Sequence, residues 1–313
     1  MSAADFFDRG VPVIAEALKC RKKDIVFIDT LKKGMTNHSH LFSVRGSKYI
    51  FRIPGEGTEH LINRKNEAEV FRIISGHGLC DDPVYIDPES GYKITRFLEN
   101  VRTCDTENRY DLKLCMDKLR KFHELKLSVN HTFDIFEKID FYESLWNGRP
   151  SVFPDYKYTK KRIFEKREAV EKIPKDRCLT HIDAVCDNFL FYFRGSDRAE
   201  QLQLTDWEYA GMQDPHVDIA MFALYSNFNK EQTDDLIGIY FGSDPGQQIR
   251  SKIYYYIAAC GLLWSNWTEY KHILGVEFGD YGARQYAYAK EFMDYFTEDN
   301  KRSIYICPKE CTV

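Results

Sequence analysis

Three oxygen-bearing side chains follow one another closely in the middle of the chain. Asp183 and Asn188 lie five residues apart, and Asp206 follows after an intervening apolar run. Phosphoryl transfer needs such a set, because one carboxylate accepts the proton of the attacking hydroxyl while an amide and a second carboxylate hold the metal ion on the phosphates. We therefore interpret Asp183 as a candidate general base, and Asn188 and Asp206 as candidate ligands of Mg²⁺, which prefers oxygen ligands.

Two short predicted strands would position these groups. Residues 189–192 are apolar and aromatic, and residues 202–205 have the pattern of a second strand. A hairpin formed by these segments would bring Asp183, Asn188 and Asp206 to one end of a small sheet. The alternative is that the first two side chains only cap a turn and the third only ends a strand, as Asx residues often do.

The same residues form the pattern His-x-Asp-x-x-x-x-Asn, from His181 to Asn188, followed by Asp-x-Glu, from Asp206 to Glu208. This pattern resembles the catalytic loop and metal-binding strand of kinases. The resemblance is to the variant of choline kinases and aminoglycoside phosphotransferases, which have Asp-x-Glu where protein kinases have Asp-Phe-Gly. It implies that Glu208 is a further carboxylate near the metal ions.

A basic side chain lies on a predicted strand upstream. Kinases place a cation on this strand and pair it with a glutamate on the following helix, so that the cation faces the nucleotide phosphates. Arg52 occupies the cation position, and an arginine can contact phosphate through two parallel donors. In the predicted helix 58–74, Glu67 is the expected partner and Glu69 the fallback, because both cannot face the sheet. A surface arginine and a solvated glutamate are the alternative.

Two further segments are candidates for nucleotide binding. Gly34, Thr36 and Asn37 lie in a predicted turn between strands, where backbone N–H groups can bind phosphates, although an ordinary hairpin turn is the alternative. Thr95 and Phe97 lie where a kinase chain passes from its small lobe to its large lobe, and backbone groups there can read an adenine edge.

Composition and charge argue against several classes of protein. Hydrophobic residues make up 43% of the chain and charged residues 29%, which is typical of a soluble globular protein. The net charge of −4 gives no reason to expect nucleic acid or an anionic membrane as partner. We find no apolar run of about 18 residues and no secretory signal in residues 1–30. The nine cysteines form no Cys-x-x-Cys pair, which favours reduced thiols and a cytoplasmic location.

Aromatic residues in the last third bear on the substrate. Trp264 and Trp267 have i, i+3 spacing, which places them on one face of a predicted helix, and Tyr225 and Tyr281 are expected neighbours. A quaternary ammonium cannot donate a strong hydrogen bond, so aromatic faces bind it best, with roughly 0.5–2 kcal/mol from each contact. Core packing of the two tryptophans is the alternative.

The chain as a whole resembles the choline kinases, of the bacterial type linked to phosphocholine decoration of surface glycans. The resemblance implies ATP and Mg²⁺ as cofactors, and transfer of the γ-phosphoryl group to the choline hydroxyl. It also implies that Trp264, Trp267 and Tyr281 line the choline pocket. Tyr225 aligns near an acidic residue of eukaryotic relatives, so the sequence departs from the pattern there. The matching segments are Tyr49–Glu59, His181–Asn188, Asp206–Tyr209, Trp264–Trp267 and Glu277–Tyr281.

The expected fold class is α+β, with a protein-kinase-like arrangement of two lobes. At 313 residues the chain exceeds the size at which single cores stop growing, so two lobes are expected. We place the boundary near Leu98. Residues 1–98 then form a small nucleotide-binding lobe built on an antiparallel sheet, and residues 99–313 form a larger, mainly helical lobe for catalysis and choline binding.

Rival functions share much of this pattern. An ethanolamine kinase would use the same catalytic residues, and a primary ammonium also binds aromatic faces but prefers added hydrogen-bond acceptors. An aminoglycoside kinase should have an acidic pocket rather than an aromatic one. A non-catalytic choline-binding protein on a kinase fold is disfavoured by the intact set of Arg52, Asp183, Asn188 and Asp206. The sequence leaves open whether the protein is a monomer or a dimer.

Overall fold

The structure is a computed structural model that describes residues 6–31, 37–55, 57–193 and 199–305. The chain divides into two compact units. Each unit is formed by several separate segments of the chain. The predicted division into residues 1–98 and 99–313 stays a prediction. Unit 1 comprises Met1–Cys104, Leu127–His131 and Asp187–Gly211, and unit 2 comprises Asp105–Lys126, Thr132–Cys186 and Met212–Val313.

Unit 1 contains a five-stranded antiparallel sheet. Its strands are β1 (Ile25–Leu31), β2 (Asn37–Val44), β3 (Ser47–Pro54), β4 (Tyr85–Ile86) and β5 (Lys93–Arg96). Their order across the sheet is β1–β2–β3–β5–β4. Arg45 and Gly46 join β2 to β3 with φ values of 50° and 82°, because two successive left-handed residues match the twist of a two-residue hairpin. The predicted strands 41–44 and 49–53 are thus confirmed within longer ones.

The core of this sheet is aromatic and aliphatic. Phe42, Phe51 and Ile94 point to one face and are fully buried. Phe6 and Ile14 pack against them from the N-terminal segment, where the helix α1 (Val11–Ala17) begins with a proline in its first turn. Proline suits that position because its missing N–H has no partner within the helix. Because Phe51 points into this core, Arg52, the next residue on β3, projects from the opposite face of the sheet.

A helix and a second sheet complete unit 1. The helix α2 (Arg64–Ile74) begins after Asn63, whose side chain accepts hydrogen bonds from two backbone N–H groups. The second sheet consists of β6 (Arg102–Thr103), β8 (Phe189–Tyr192) and β9 (Gln201–Leu204) in the order β6–β8–β9. Pairing of Phe189 with Leu204 in the antiparallel β8–β9 ladder confirms the predicted hairpin.

Unit 2 is mainly helical. A two-stranded sheet of β7 (Cys178–Thr180) and β10 (Gly211–Gln213) accompanies the helices. None of the helices in the described part of the chain is long and apolar enough to cross a membrane. The helices are α3 (Arg109–Glu124), α4 (Ile135–Ser144), α5 (Tyr156–Glu171), α6 (His216–Tyr225), α7 (Lys230–Phe241), α8 (Gln247–Ile273) and α9 (Tyr281–Tyr305).

The long helix α8 forms the centre of unit 2 and packs closely against α9. Nearly every residue from Ser251 to Trp267 is buried. A Cβ atom at Gly261 would lie 2.6 Å from the carbonyl oxygen of Gln285 and 2.9 Å from the backbone nitrogen of Ala289. Such distances are shorter than van der Waals contact and involve backbone atoms, so the two helices can approach this closely only because Gly261 has no side chain.

Gly261→Ala should lower the free energy of unfolding by about 1–3 kcal/mol, because an added methyl group forces the two helix backbones apart. Gly238 on α7 is the matched control, since a Cβ there meets nothing within 4 Å. Gly238→Ala should raise the same free energy by about 0.5–1 kcal/mol through better helix propensity. Urea denaturation measures both, and effects of equal sign at the two positions would contradict the close approach.

Candidate active site

The β8–β9 hairpin brings two of the predicted site residues together. The carbonyl oxygen of Asn188 accepts a hydrogen bond from the backbone N–H of Thr205 at 2.9 Å, so the residue before β8 lies beside the residue after β9. Asp206 follows at once, with φ of 68° in the left-handed region. Asn188 and Asp206 therefore lie at the same end of the hairpin, as predicted.

A buried arginine reaches this end of the hairpin. Arg52 on β3 is 7% exposed, and its Nη1 atom lies 3.2 Å from Oδ1 of Asp206 and 3.3 Å from Oε2 of Glu208. Its Nη2 atom donates to Glu67. The predicted pairing with Glu67 is thus confirmed, and the alternative of a surface arginine is wrong. Glu69 faces elsewhere, with Oε2 3.4 Å from Nδ1 of His131.

Glu67 binds two further cations that sequence reasoning missed. Its Oε1 atom accepts from Nζ of Lys93 at 3.0 Å, and its Oε2 atom accepts from Nη1 of Arg64 at 2.9 Å. Burial acts to raise the pKa of Glu67, but the three cations more than offset this and hold the pKa well below its usual range. Two signals point to the missed residues, because Lys93 is the register partner of Arg52 and Arg64 precedes Glu67 by three residues on α2.

The start of β2 joins the same cluster. Nδ2 of Asn37 donates to Oε2 of Glu208 at 2.8 Å, and Oδ1 of Asn37 accepts from Nη2 of Arg64 at 3.1 Å. Asn37, a predicted nucleotide ligand, therefore lies beside Glu208, a predicted metal ligand. Gly34 and Thr36, predicted for the same turn, lie outside the described residues.

The carboxylates at the end of the hairpin carry negative charge that a cation would stabilise. Burial raises the pKa of Asp206 to about 6, and the neighbouring Glu208 adds to this shift while Arg52 opposes it. Among the described residues, no three or more His, Cys, Asp or Glu are grouped as a metal site. The oxygen donors of Asn188 and Asp206 fit Mg²⁺, which usually keeps phosphate oxygens and waters as its other ligands.

The predicted adenine contacts lie at the end of β5. Thr95 is on the strand and pairs with Ile50 of β3. Phe97 follows the strand, and its backbone N–H donates to the carbonyl of Lys48 at 3.1 Å. Thr95 is partly buried and lies on an ordered strand. The role of both residues in binding adenine stays a prediction.

In unit 2, a buried carboxylate fixes the backbone just before Asp183. Asp218 on α6 accepts from the backbone N–H groups of His181 at 2.9 Å and Ile182 at 2.7 Å, and it also lies 2.9 Å from Nε2 of His123. Ile182 has φ of 72°, which is costly for a β-branched residue and needs such support. Asp218 therefore holds the backbone of this loop, and His123 is buried beside it.

The four aromatic residues predicted for the choline pocket form two pairs of adjacent rings. The ring centroids of Trp264 and Trp267 are 6.0 Å apart, and those of Tyr225 and Tyr281 are 6.3 Å apart. Burial raises the pKa of Tyr281 well above its usual value, and the nearby carboxylate of Asp183 adds to the shift. The charge of Asp183 thus acts on Tyr281, and both tyrosines are partly exposed.

The tryptophans are more deeply packed than the tyrosines. Trp264 is 4% exposed and its Nε1 atom donates to Sδ of Met221 at 3.0 Å. Trp267 is 1% exposed, and its ring centroid lies 5.1 Å from that of Phe278 and 5.9 Å from Nζ of Lys271. Trp267 therefore has substantial core contacts, so its role as a wall of a choline pocket stays a prediction.

Comparison with known proteins assigns the family. Residues 28–235 match the profile described as choline/ethanolamine kinase. The chain belongs to the choline/ethanolamine kinase family. Protein LicA of Haemophilus influenzae is 30% identical over 271 residues, which cover 80% of this chain and 76% of that protein.

Solved structures agree with this assignment. The choline kinase LicA from Streptococcus pneumoniae has a TM-score of 0.75 at 28% identity, covering 91% of this chain and 97% of that one. LicA in complex with AMP has a TM-score of 0.75 at 27% identity, covering 91% and 98%. The predicted protein-kinase-like α+β fold is confirmed, and the chain is a kinase.

Glu67→Gln should lower the free energy of unfolding by about 3–5 kcal/mol, because it leaves buried cations without their shared carboxylate. Glu69→Gln is the matched control on the same helix, at a partly exposed position, and should change the free energy by less than about 1 kcal/mol. Chemical denaturation of both variants measures the difference. Equal losses would contradict a special role for Glu67.

The pH dependence of that difference follows from the lowered pKa of Glu67. A carboxylate whose pKa is lower in the folded chain stabilises it fully above the unfolded value of about 4.3 and loses this effect as the pH falls toward the folded value. The gap between wild type and Glu67→Gln should therefore stay constant from about pH 8 to about pH 5 and shrink only in stronger acid. A gap that closes near neutral pH would contradict the ion cluster.

Proposed function

We propose that this protein is an ATP-dependent choline kinase, which transfers the γ-phosphoryl group of ATP to the hydroxyl group of choline and produces phosphocholine and ADP. The observation that carries the proposal is the meeting of Asn188 and Asp206 at one hairpin end, beside the buried pair of Arg52 and Glu67. In a chain of the choline/ethanolamine kinase family, this set serves phosphoryl transfer.

The nucleotide is the partner for the charged groups of unit 1. Arg52 is held by Glu67 and presents a fixed guanidinium group, which suits the oxygens of a phosphate chain. Asn188, Asp206 and Glu208 would hold Mg²⁺, which neutralises phosphate charge when it is bound. Asn37, Thr95 and Phe97 are proposed as further nucleotide contacts, and the AMP complex of the relative LicA supports an adenine nucleotide as ligand.

Asp183 is the proposed general base. Its carboxylate takes the proton of the choline hydroxyl while that oxygen attacks the γ-phosphorus of ATP. The bond between the γ-phosphorus and the bridging oxygen breaks, and ADP leaves with the electron pair. Asp218 fixes the backbone of His181 and Ile182, and this restricts the position of the proposed base that follows them. A fixed base lowers the entropy cost of reaching the transition state.

The aromatic residues are the proposed site for the choline cation. Tyr225 and Tyr281 pair with each other, and the charge of Asp183 acts on Tyr281, so a trimethylammonium group against these rings would carry its hydroxyl toward the base. Trp264 and Trp267 are proposed as further aromatic surface. Methyl groups around the nitrogen exclude strong hydrogen bonds, and ring faces supply the electrostatic attraction instead.

Ethanolamine is the second candidate acceptor, because the matched family includes ethanolamine kinases. Its primary ammonium has three N–H donors, and each needs an acceptor once water is removed. The hydroxyl groups of Tyr225 and Tyr281 and the carboxylate of Asp183 are proposed as acceptors for them. A preference for choline over ethanolamine therefore requires that attraction by the aromatic rings outweighs these hydrogen bonds.

An acceptor comparison tests the proposal. Purified protein with magnesium and ATP should release ADP rapidly with choline, and much more slowly with ethanolamine or kanamycin, in a coupled assay. Release that is fastest with ethanolamine would keep the catalytic groups and contradict the aromatic preference. Release with none of the three above the acceptor-free rate would contradict the proposed function.

Asp183→Asn should lower turnover by at least about a hundredfold, since an amide cannot accept the hydroxyl proton. ATP binding, measured by equilibrium titration, should be unchanged. Asp187→Asn is the control in the same loop, at an exposed carboxylate, and should retain most of the turnover. Equal turnover in wild type and Asp183→Asn would contradict the assignment of the base.

A further inference from the structure

Arg64 joins four segments of unit 1 through one largely buried guanidinium group. Its side chain is 9% exposed. Nη1 donates to Glu67 at 2.9 Å and to Glu208 at 3.1 Å, while Nη2 donates to Asn37 at 3.1 Å and to Oγ1 of Thr58 at 3.4 Å. It thus connects the start of β2, the turn after β3, the helix α2 and the turn that follows Asp206.

The chain leaves space for this side chain at a particular glycine. A Cβ atom at Gly91 would lie 2.7 Å from Cδ of Arg64 and 2.8 Å from its Cγ and Nε atoms. Gly91 also has φ of 72°, which favours glycine by itself. The stem of Arg64 therefore lies directly against the backbone just before β5, so its position is fixed by packing as well as by hydrogen bonds.

Arg64 also contributes one of the positive charges that make the cluster neutral. Three cations, Arg52, Arg64 and Lys93, meet three carboxylates, Glu67, Asp206 and Glu208. The described cluster is therefore neutral as a whole. Loss of one cation would leave a negative charge beside the groups that bind phosphate, and in a buried site such a charge acts with little screening.

We propose that Arg64 is a positioning residue for nucleotide binding, which acts by holding Glu208 and Asn37 in one arrangement and by keeping the cluster neutral. In this role Arg64 shares Glu67 and Glu208 with Arg52 as an ion-pair partner. Arg52 is then not fully engaged by these carboxylates and can still bind phosphate. The proposal rests on the proposed function of unit 1 in binding ATP. The proposal predicts no change in choline binding, because the proposed site for the choline cation lies in unit 2.

The effect should fall on ATP and not on choline. Arg64→Gln should weaken ATP binding by roughly tenfold or more, and the loss should be larger for free ATP, with four negative charges, than for its magnesium complex, with two. The KM for choline should change by less than about twofold. Arg64→Lys keeps the charge without the forked donor and should recover part of the affinity.

Arg72→Gln is the matched control for these variants. Arg72 lies on the same helix, is exposed, and has only a 4.0 Å contact with Glu69. It should leave both ATP binding and the KM for choline unchanged. Equilibrium titration of ATP, with and without magnesium, gives the first quantity, and steady-state kinetics give the second.

A second pair of variants tests the position of Arg64 without changing its charge. Gly91→Ala should weaken ATP binding, because the added methyl group displaces the stem of Arg64. Gly76→Ala is the control for backbone strain, since Gly76 has φ of 77° but nothing within 4 Å of its Cβ position. ATP binding should be weaker in Gly91→Ala than in Gly76→Ala. This comparison also decides the question if Arg64→Gln fails to fold.

The outcomes separate this proposal from the proposed function. Equal losses for ATP and choline, or equal losses with and without magnesium, would show that Arg64 acts only in folding and would overturn the proposal. Equal ATP binding by Gly91→Ala and Gly76→Ala would overturn it as well. If the wild type binds ATP but phosphorylates none of the tested acceptors, the proposed function fails, while the titrations still test Arg64.

Discussion

The site in unit 1 depends on the ionised carboxylate of Glu67. Burial alone would favour its neutral form, yet Arg52, Arg64 and Lys93 converge on its two oxygens and keep it charged. A buried ion cluster of this kind is not required for stability, since apolar residues can fill such space as well. Its use is to fix the directions of charged groups before a ligand arrives, and a preorganised site avoids the cost of ordering long side chains on binding.

In unit 2, a different interaction positions the backbone before Asp183. The residues before Asp183 must take a backbone conformation that is costly for Ile182, and the carboxylate of Asp218 makes it stable by accepting two adjacent N–H groups. The buried imidazole of His123 gives that carboxylate a further partner. The backbone before Asp183, the proposed general base, is thus held by side chains outside the loop. Local strain is therefore stabilised by buried polar groups that need not contact a substrate.

The two kinds of recognition differ in their physical basis. A polyphosphate needs cations, N–H donors and metal ions in fixed positions, and unit 1 supplies the cations and the oxygen donors. A quaternary ammonium needs apolar and aromatic surface, and unit 2 has the paired rings of Tyr225 and Tyr281. Because one proposed site is built from charges and the other from rings, substitutions in each should affect either nucleotide or acceptor binding. The effects of such substitutions on the two ligands can therefore be measured separately.

The sequence by itself determined the kinase pattern, because the spacing of Asp183, Asn188 and Asp206 and the alternation of short strands are local properties. It also predicted that Arg52 pairs with one of two glutamates on α2, with Glu67 as the first choice and Glu69 as the fallback, and the structure shows Glu67. Only the tertiary structure decided which other groups join them. The shares of Arg64 and Lys93 in the cluster, and the need for glycine at position 91, depend on strand register and on the packing of segments far apart in the chain. The i, i+3 spacing of Arg64 and Glu67 is visible in the sequence, but the contacts of Arg64 with Asn37 and Glu208 depend on where distant backbones meet.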